Sequence, residues 1–193
     1  LDQAFLDAVL PALASASAPR TLVWTSSVWV LGARSVPTDE SVTLTPAAHA
    51  IWRASHEARV LAAASPRLRI ASIRPGIVYG GGRGIVSDMV KQALNGLIRV
   101  VGDGTNRWPG IYDRDLADLY ERVVATPEAS GVYHGVDEQD ERVSDIAEAL
   151  ADHVTPAADI RYVPLPEARA KLGATYADAL AMDQVVRSPR ARA

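Results

Sequence analysis

Residues 21–32, TLVWTSSVWVLG, decide the fold. Their first half is a continuous β-branched and aromatic run, which reads as a parallel strand buried on both faces. A second run of the same kind, RLRIASIRPGIVYG over 67–80, is ended by Pro75 and Gly76. Between the two lies a loop over 33–47, punctuated by Pro37, Asp39, Glu40 and Pro46. An alanine-rich segment over 47–64 then carries Ile51, Ala54, Ala58 and Leu61 at helical spacing. Strand, helix, strand is the unit from which α/β proteins are built.

The pattern extends in both directions. Upstream, residues 1–14 place Phe5, Leu6, Val9, Leu10 and Leu13 on one helical face, with Pro11 expected to kink or cap the helix. Downstream, the glycines at 80, 81, 82 and 84 precede a predicted helix over 85–95. A short apolar piece over 97–104 turns at Asp103–Gly104. A strand edge near Ile111–Tyr112 leads into a helix, DLADLYERVVAT, with Asp115 as its expected N-terminal cap. Residues 131–137 read as a strand, Ser144 as the cap of the next helix, 160–166 as a last short strand, and the remainder as a helical tail. Two or three parallel strands cannot bury such apolar runs on both faces, so further strands are expected from residues outside this chain or from a partner.

Composition narrows the function. The chain has 193 residues, 48% apolar and 22% charged, with 20 Lys+Arg against 23 Asp+Glu and a net charge of −3. With no basic excess, nucleic acid is disfavoured as a partner. No apolar run approaches the ~18 residues of a membrane span, and no basic leader precedes the apolar start. Zero cysteines exclude disulfides, thiolate metal sites and thiol catalysis, and fit a reducing cytoplasm. Four scattered histidines argue against a metal.

Candidate chemistry gathers at strand ends. Thr25, Ser26 and Ser27 close the first strand, where ligands of open α/β sheets collect. Their hydroxyls suit a substrate carbonyl or bonds to neighbouring backbone. Arg74-Pro75-Gly76 closes the second, where exposed backbone would hold a planar amide ring or simply turn. Gly80–Gly82 with Gly84 matches no phosphate-binding fingerprint and reads as a substrate-side loop. Trp52 and His56 stand four apart on one helix face, and a histidine there can donate a proton or merely pack.

In this order the segments resemble the extended or atypical branch of the short-chain dehydrogenase/reductase superfamily, the NAD(P)-dependent epimerase/dehydratase group. The resemblance rests on LVWTSSVWVLG, IRPGIVYGGG, GDGTNRWPGIYDRDLADLY and GVYHGVDEQDERVSDIAEAL. It implies a Rossmann-like, doubly wound, mainly parallel sheet with a small C-terminal α/β substrate lobe, in a chain truncated at both ends. Residues 1–80 would be the second half of the dinucleotide domain and 81–193 mostly the substrate lobe, with 111–137 partly returning to the sheet. Ser27 would be the catalytic hydroxyl. Thr25, Ser26, Pro75, Gly76, Ile77 and Val78 would meet the cofactor, and Val28, Trp29, Tyr79, Arg107 and Trp108 the substrate.

Two departures shape the expected chemistry. The family's Tyr-x-x-x-Lys pair falls on Trp52 and His56. An indole N–H does not titrate in water, so Trp52 cannot serve as acid or base, whereas the imidazole of a histidine can exchange a proton. His56 is therefore the expected catalytic partner of Ser27, and both Trp52 and His56 would line the cofactor. The glycine-rich fingerprint is absent, and the sugar-nucleotide phosphate Arg falls on Trp108. Trp29, Trp52 and Trp108 would wall a bulky or aromatic substrate, or belong to the core. The first expectation is a ketoreductase using NADP(H) in slight preference to NAD(H), cytoplasmic, monomeric or homodimeric, acting on a small-molecule carbonyl. A non-catalytic cofactor-binding module and a nucleotide-sugar epimerase/dehydratase are the alternatives.

Overall fold

A computed structural model describes residues 2–193. Helix α1 (Asp2–Ala14) turns Leu6 and Leu10 inward and runs through Pro11 without ending. Strand β1 (Arg20–Thr25) follows, then a 3-10 turn (Val28–Leu31) capped by Ser27, and β2 (Arg34–Thr38). Helix α2 (Ile51–Ala62) leads to β3 (Leu68–Pro75) and β4 (Ile77–Tyr79). Next come α3 (Ile85–Leu94), β5 (Leu97–Val101), β6 (Gly110–Tyr112), α4 (Asp113–Ala125) and β7 (Gly131–Gly135). The chain closes with α5 (Val143–Asp152), β8 (Asp159–Val163), α6 (Leu165–Leu172), α7 (Ala174–Leu180), β9 (Gln184–Val186) and α8 (Pro189–Arg192).

Strand β3 is the axis. It pairs in parallel with β1 on one side and β7 on the other, and its side chains alternate between two helical layers. Leu68 and Ile70 pack on Leu6, Leu10 and Val60 of α1 and α2. Ala71 and Ile73 face Leu119 and Val123 of α4. Arg69, on the α4 face, donates to the carbonyls of Val123, Val124 and Ala129 at 2.7–3.0 Å, placing a cation on the C-terminal end of α4. The sheet is thus parallel and covered on both faces, as the sequence predicts. Three further parallel pairs, β2–β9, β4–β6 and β5–β8, complete the strands, and a second core gathers α3, α5, β5 and Trp108.

Several local expectations are corrected. β1 is not buried on both faces: Leu22, Val23 and Trp24 are half-buried and Thr25 is exposed. Among the described residues it pairs with β3 alone, which leaves its other edge for the further strands expected from outside this chain. The predicted loop over 33–47 contains β2, and the predicted helical tail contains β9. Each is ordered by the other, with a break in register between Arg34 and Thr38. Ser144 and Asp115 lie inside the first turns of α5 and α4 rather than at their caps, which are Arg142 and Tyr112. Asp113 and Asp115 still place negative charge on the positive end of α4.

Candidate functional site at the strand ends

The carboxyl ends of β1 and β3 lie side by side, with Thr25 opposite Ile73 and the Ser26 N–H donating to the Ile73 carbonyl at 2.7 Å. The chain then leaves the sheet. Ser27, in extended conformation, caps the 3-10 turn by accepting from the Trp29 N–H at 3.2 Å. Among the described residues the Ser27 hydroxyl proton has no acceptor. Ser26 is buried and its Oγ has no hydrogen-bond partner. Thr25 Oγ1 shares a 2.6 Å hydrogen bond with the Tyr120 hydroxyl, and its carbonyl accepts from Arg53 of α2 at 3.3 Å. Burial pushes the Tyr120 hydroxyl above its ordinary pKa, so it stays protonated.

The Trp52–His56 register is realised on α2. Their rings meet edge-on with centroids 5.6 Å apart, and Arg53 lies over the indole at 4.5 Å. The Trp52 N–H donates to the His49 carbonyl at 3.1 Å, so it is already used within the helix start. His56 keeps a buried, unpartnered Nδ1.

After β3 the backbone is less open than expected. The Gly76 N–H donates to the Gly135 carbonyl at 2.9 Å and the Ile77 N–H to the Pro109 carbonyl at 2.8 Å. Val78 lies in the β4–β6 ladder opposite Ile111. The substrate-side residues separate as well. Val28 is fully buried in a core with Val30, Leu31, Val136 and Val186. Trp29 is half-buried, its ring 5.1 Å from His49 and 6.5 Å from Tyr176. Arg107 is committed to Asp183 at 2.6 Å and to the Ser35 carbonyl at 3.0 Å. Trp108 is buried, its N–H on the Leu180 carbonyl at 3.0 Å. The three tryptophans therefore sit in different surroundings instead of forming one wall. Tyr79 lies within 3.5 Å of Asp137, in a cavity of about 290 Å³ shared with Ile77, Trp108 and Glu141. Burial and the Asp137 charge push the Tyr79 hydroxyl up, and burial also raises Asp137 and Glu141.

Sequence reasoning missed the polar group that fixes the end of β3. Ser72 and Arg74 share the α2 face, where Glu57 is fully buried. Arg74 binds both Glu57 oxygens at 3.0–3.1 Å, and Ser72 donates to the same carboxylate. His134 of β7 continues the group. Its Nδ1 stands 2.9 Å from the Arg187 carbonyl, which can only accept, so the proton is assigned to Nδ1 and Nε2 faces Arg74 at 3.5 Å. An apolar strand interrupted by Ser72 and Arg74, opposite a helix carrying Glu57, was the available signal.

Parallel strands covered by helices define an open α/β protein, a class in which ligands collect at the carboxyl ends of the strands. The chain belongs to the NAD dependent epimerase/dehydratase family, whose model matches residues 5–136. Over 78 residues it is 37% identical to a 2-alkyl-3-oxoalkanoate reductase of Stenotrophomonas maltophilia (strain K279a), spanning 40% of this chain and 23% of that protein. Its fold matches a crystal structure of human epimerase family protein SDR39U1 (isoform 2) with NADPH. The TM-score is 0.84 at 21% identity, over 99% of this chain and 65% of that one. The UDP-glucose 4-epimerase of Thermus thermophilus, solved with NAD, matches at a TM-score of 0.71 and 18% identity, over 81% of this chain and 55% of that one. No helix among the described residues is long and apolar enough to cross a membrane.

Proposed function

We propose that this chain carries the strand-end part of a ketoreductase that acts on a bulky or aromatic ketone with NADP(H) or NAD(H). The observation that carries the reading is the Ser27 hydroxyl: its oxygen is held by the Trp29 N–H while its proton has no acceptor among the described residues. A donor fixed in this way can polarise a carbonyl without reorganising. When bound, the nicotinamide supplies hydride. The buried, unpartnered Ser26 Oγ fits a bound polar group, since buried hydroxyls are ordinarily paired. Thr25, Ser26 and His56 are the residues that would hold the cofactor. Trp52 donates no titratable proton, so the proton comes from His56, water or an acidic group of the substrate. The name of the Stenotrophomonas relative supports a carbonyl substrate with apolar branches, and the NADPH of the human structure supports NADP(H).

Replacing Ser27 by Ala is expected to lower turnover at least about tenfold with little change in cofactor affinity, read by steady-state kinetics and a cofactor titration. Unchanged turnover would remove Ser27 from the mechanism. One observation favours a non-catalytic cofactor-binding module, namely an indole bonded to His49 where the family places its tyrosine. That reading predicts cofactor binding without turnover of any carbonyl.

A further inference from the structure

We infer that the first turn of α2 and the end of β1 form a phosphate site, with Arg53 as its cation and Ser26 as its hydroxyl donor. The site rests on the reading of the strand ends as a place where a ligand binds, though not on turnover. Arg53 is half-buried and lies over the Trp52 ring at 4.5 Å, while one N–H of its guanidinium donates to the Thr25 carbonyl at 3.3 Å. A guanidinium has five N–H donors, and no carboxylate among the described residues pairs with this one. Arg74, buried nearby, is neutralised by Glu57. The Arg53 charge is thus fixed in place and left without a counterion.

The start of α2 is an unfavourable place for such a charge. Arg53 is the third residue of the helix, the first turn contains no acidic residue, and the cap is Ala50, with no side-chain hydrogen bond. A cation there opposes the helix dipole, and a bound anion reverses that opposition. The strand end points to the same place. Thr25 turns its hydroxyl to Tyr120 of α4, so the pleat turns Ser26 to the α2 face, where it is 4% exposed and its Oγ has no partner. The two segments also meet beyond Arg53, since the Ala47 N–H donates to the Trp29 carbonyl at 3.2 Å and the His49 ring stands 5.1 Å from Trp29. Guanidinium, hydroxyl and helix start are all donors, and they come from different directions. The edge of the guanidinium alone satisfies a planar carboxylate, whereas the tetrahedral oxygens of a phosphate use all three. Either the dinucleotide or a phosphorylated substrate can bring that group.

Inorganic phosphate is the probe, titrated into the full-length protein at fixed ionic strength and followed by calorimetry and by tryptophan emission, because Trp52 lies under Arg53. Saturable binding is expected, with acetate at least about tenfold weaker. Arg53→Gln should weaken phosphate at least about tenfold, and Ser26→Ala, which removes one buried atom and adds none, about threefold. No saturable phosphate binding would overturn the site, as would acetate binding as tightly as phosphate. Unchanged phosphate affinity in Arg53→Gln would overturn it too; if that variant does not fold, unchanged affinity in Ser26→Ala does so alone. NADPH that displaces phosphate supports the site with the dinucleotide as the source, and NADPH bound beside phosphate supports it with a phosphorylated substrate. If NADPH does not bind at all, the reductase reading falls while the phosphate result stands.

Discussion

At the scale of single residues, the strongest commitment in this molecule is the buried pair of Glu57 and Arg74. Both charges have left water, and their attraction offsets that loss only because the guanidinium reaches both carboxylate oxygens and Ser72 fills a remaining lone pair. Removing one partner strands the other charge. Glu57→Ala is therefore expected to destabilise the fold by about 3–5 kcal/mol, measured as a fall in the denaturant midpoint. An unchanged midpoint would show that water reaches Arg74. His134 adds a pH dependence. Burial pushes its pKa below the ordinary value of 6.5, ahead of the opposing bond to Arg187. The unfolded chain then binds a proton that the folded chain refuses. Stability contributed by the neutral ring is fully present above about pH 6.5 and is lost as pH falls from there toward the folded value. Glu40, Glu57, Arg74 and the Arg187 carbonyl face this ring from the surrounding segments. Subtracting the stability–pH curve of His134→Asn from that of the unaltered protein should leave a component that declines below pH 6.5; a flat difference would remove His134 from the pH response.

At the scale of elements, β3 and its continuation into β4 set the site, and Gly76 is the joint between them. A Cβ at this position would stand 2.0 Å from the Pro109 carbonyl oxygen and 3.2 Å from Val136. The obstacle is backbone, so side-chain adjustment cannot relieve it. Gly76→Ala should cost about 3 kcal/mol and part β4 from β6, seen as lost amide protection at Ile77. Retained protection would mean that the strand end yields. The same segment shows what a sequence reveals. Leu68, Ile70, Ala71 and Ile73 announce a strand covered on both faces, and the residue types at 25–27 and 74–76 point to the candidate site at the strand ends. Neither periodicity nor spacing reveals that Gly135 and Pro109 take the N–H groups of Gly76 and Ile77, because those acceptors arrive from segments far along the chain. β2 and β9 were hidden for the same reason. They are short, β2 contains Pro37, and each is a strand only because the other is present.

At the scale of the whole molecule, the last residues of the chain return to secure the turn after Ser27. Gln184 is buried at 1% exposure, and its side-chain amide donates to the carbonyls of Val28 and Gly32, each at 2.8 Å. Asp183 beside it holds Arg107, and Arg187 pairs with Asp140 at 2.6 Å. Val186 is buried in the same core as Val28. One short strand thus ties the β1 exit, the β2 strand and the segment before β6 into a single unit, so the position of the Ser27 hydroxyl depends on residues at the far end of the sequence. Gln184→Leu keeps the volume and removes both donors, leaving two buried carbonyls unpaired. It should lower stability by about 2 kcal/mol and speed amide exchange across Val28–Gly32 more than in β3, because the loss is local to the turn. If exchange rises equally in β3, the turn and the sheet open together and β9 supports the whole fold. If neither stability nor exchange changes, water replaces the amide and Ser27 is held by its own turn alone.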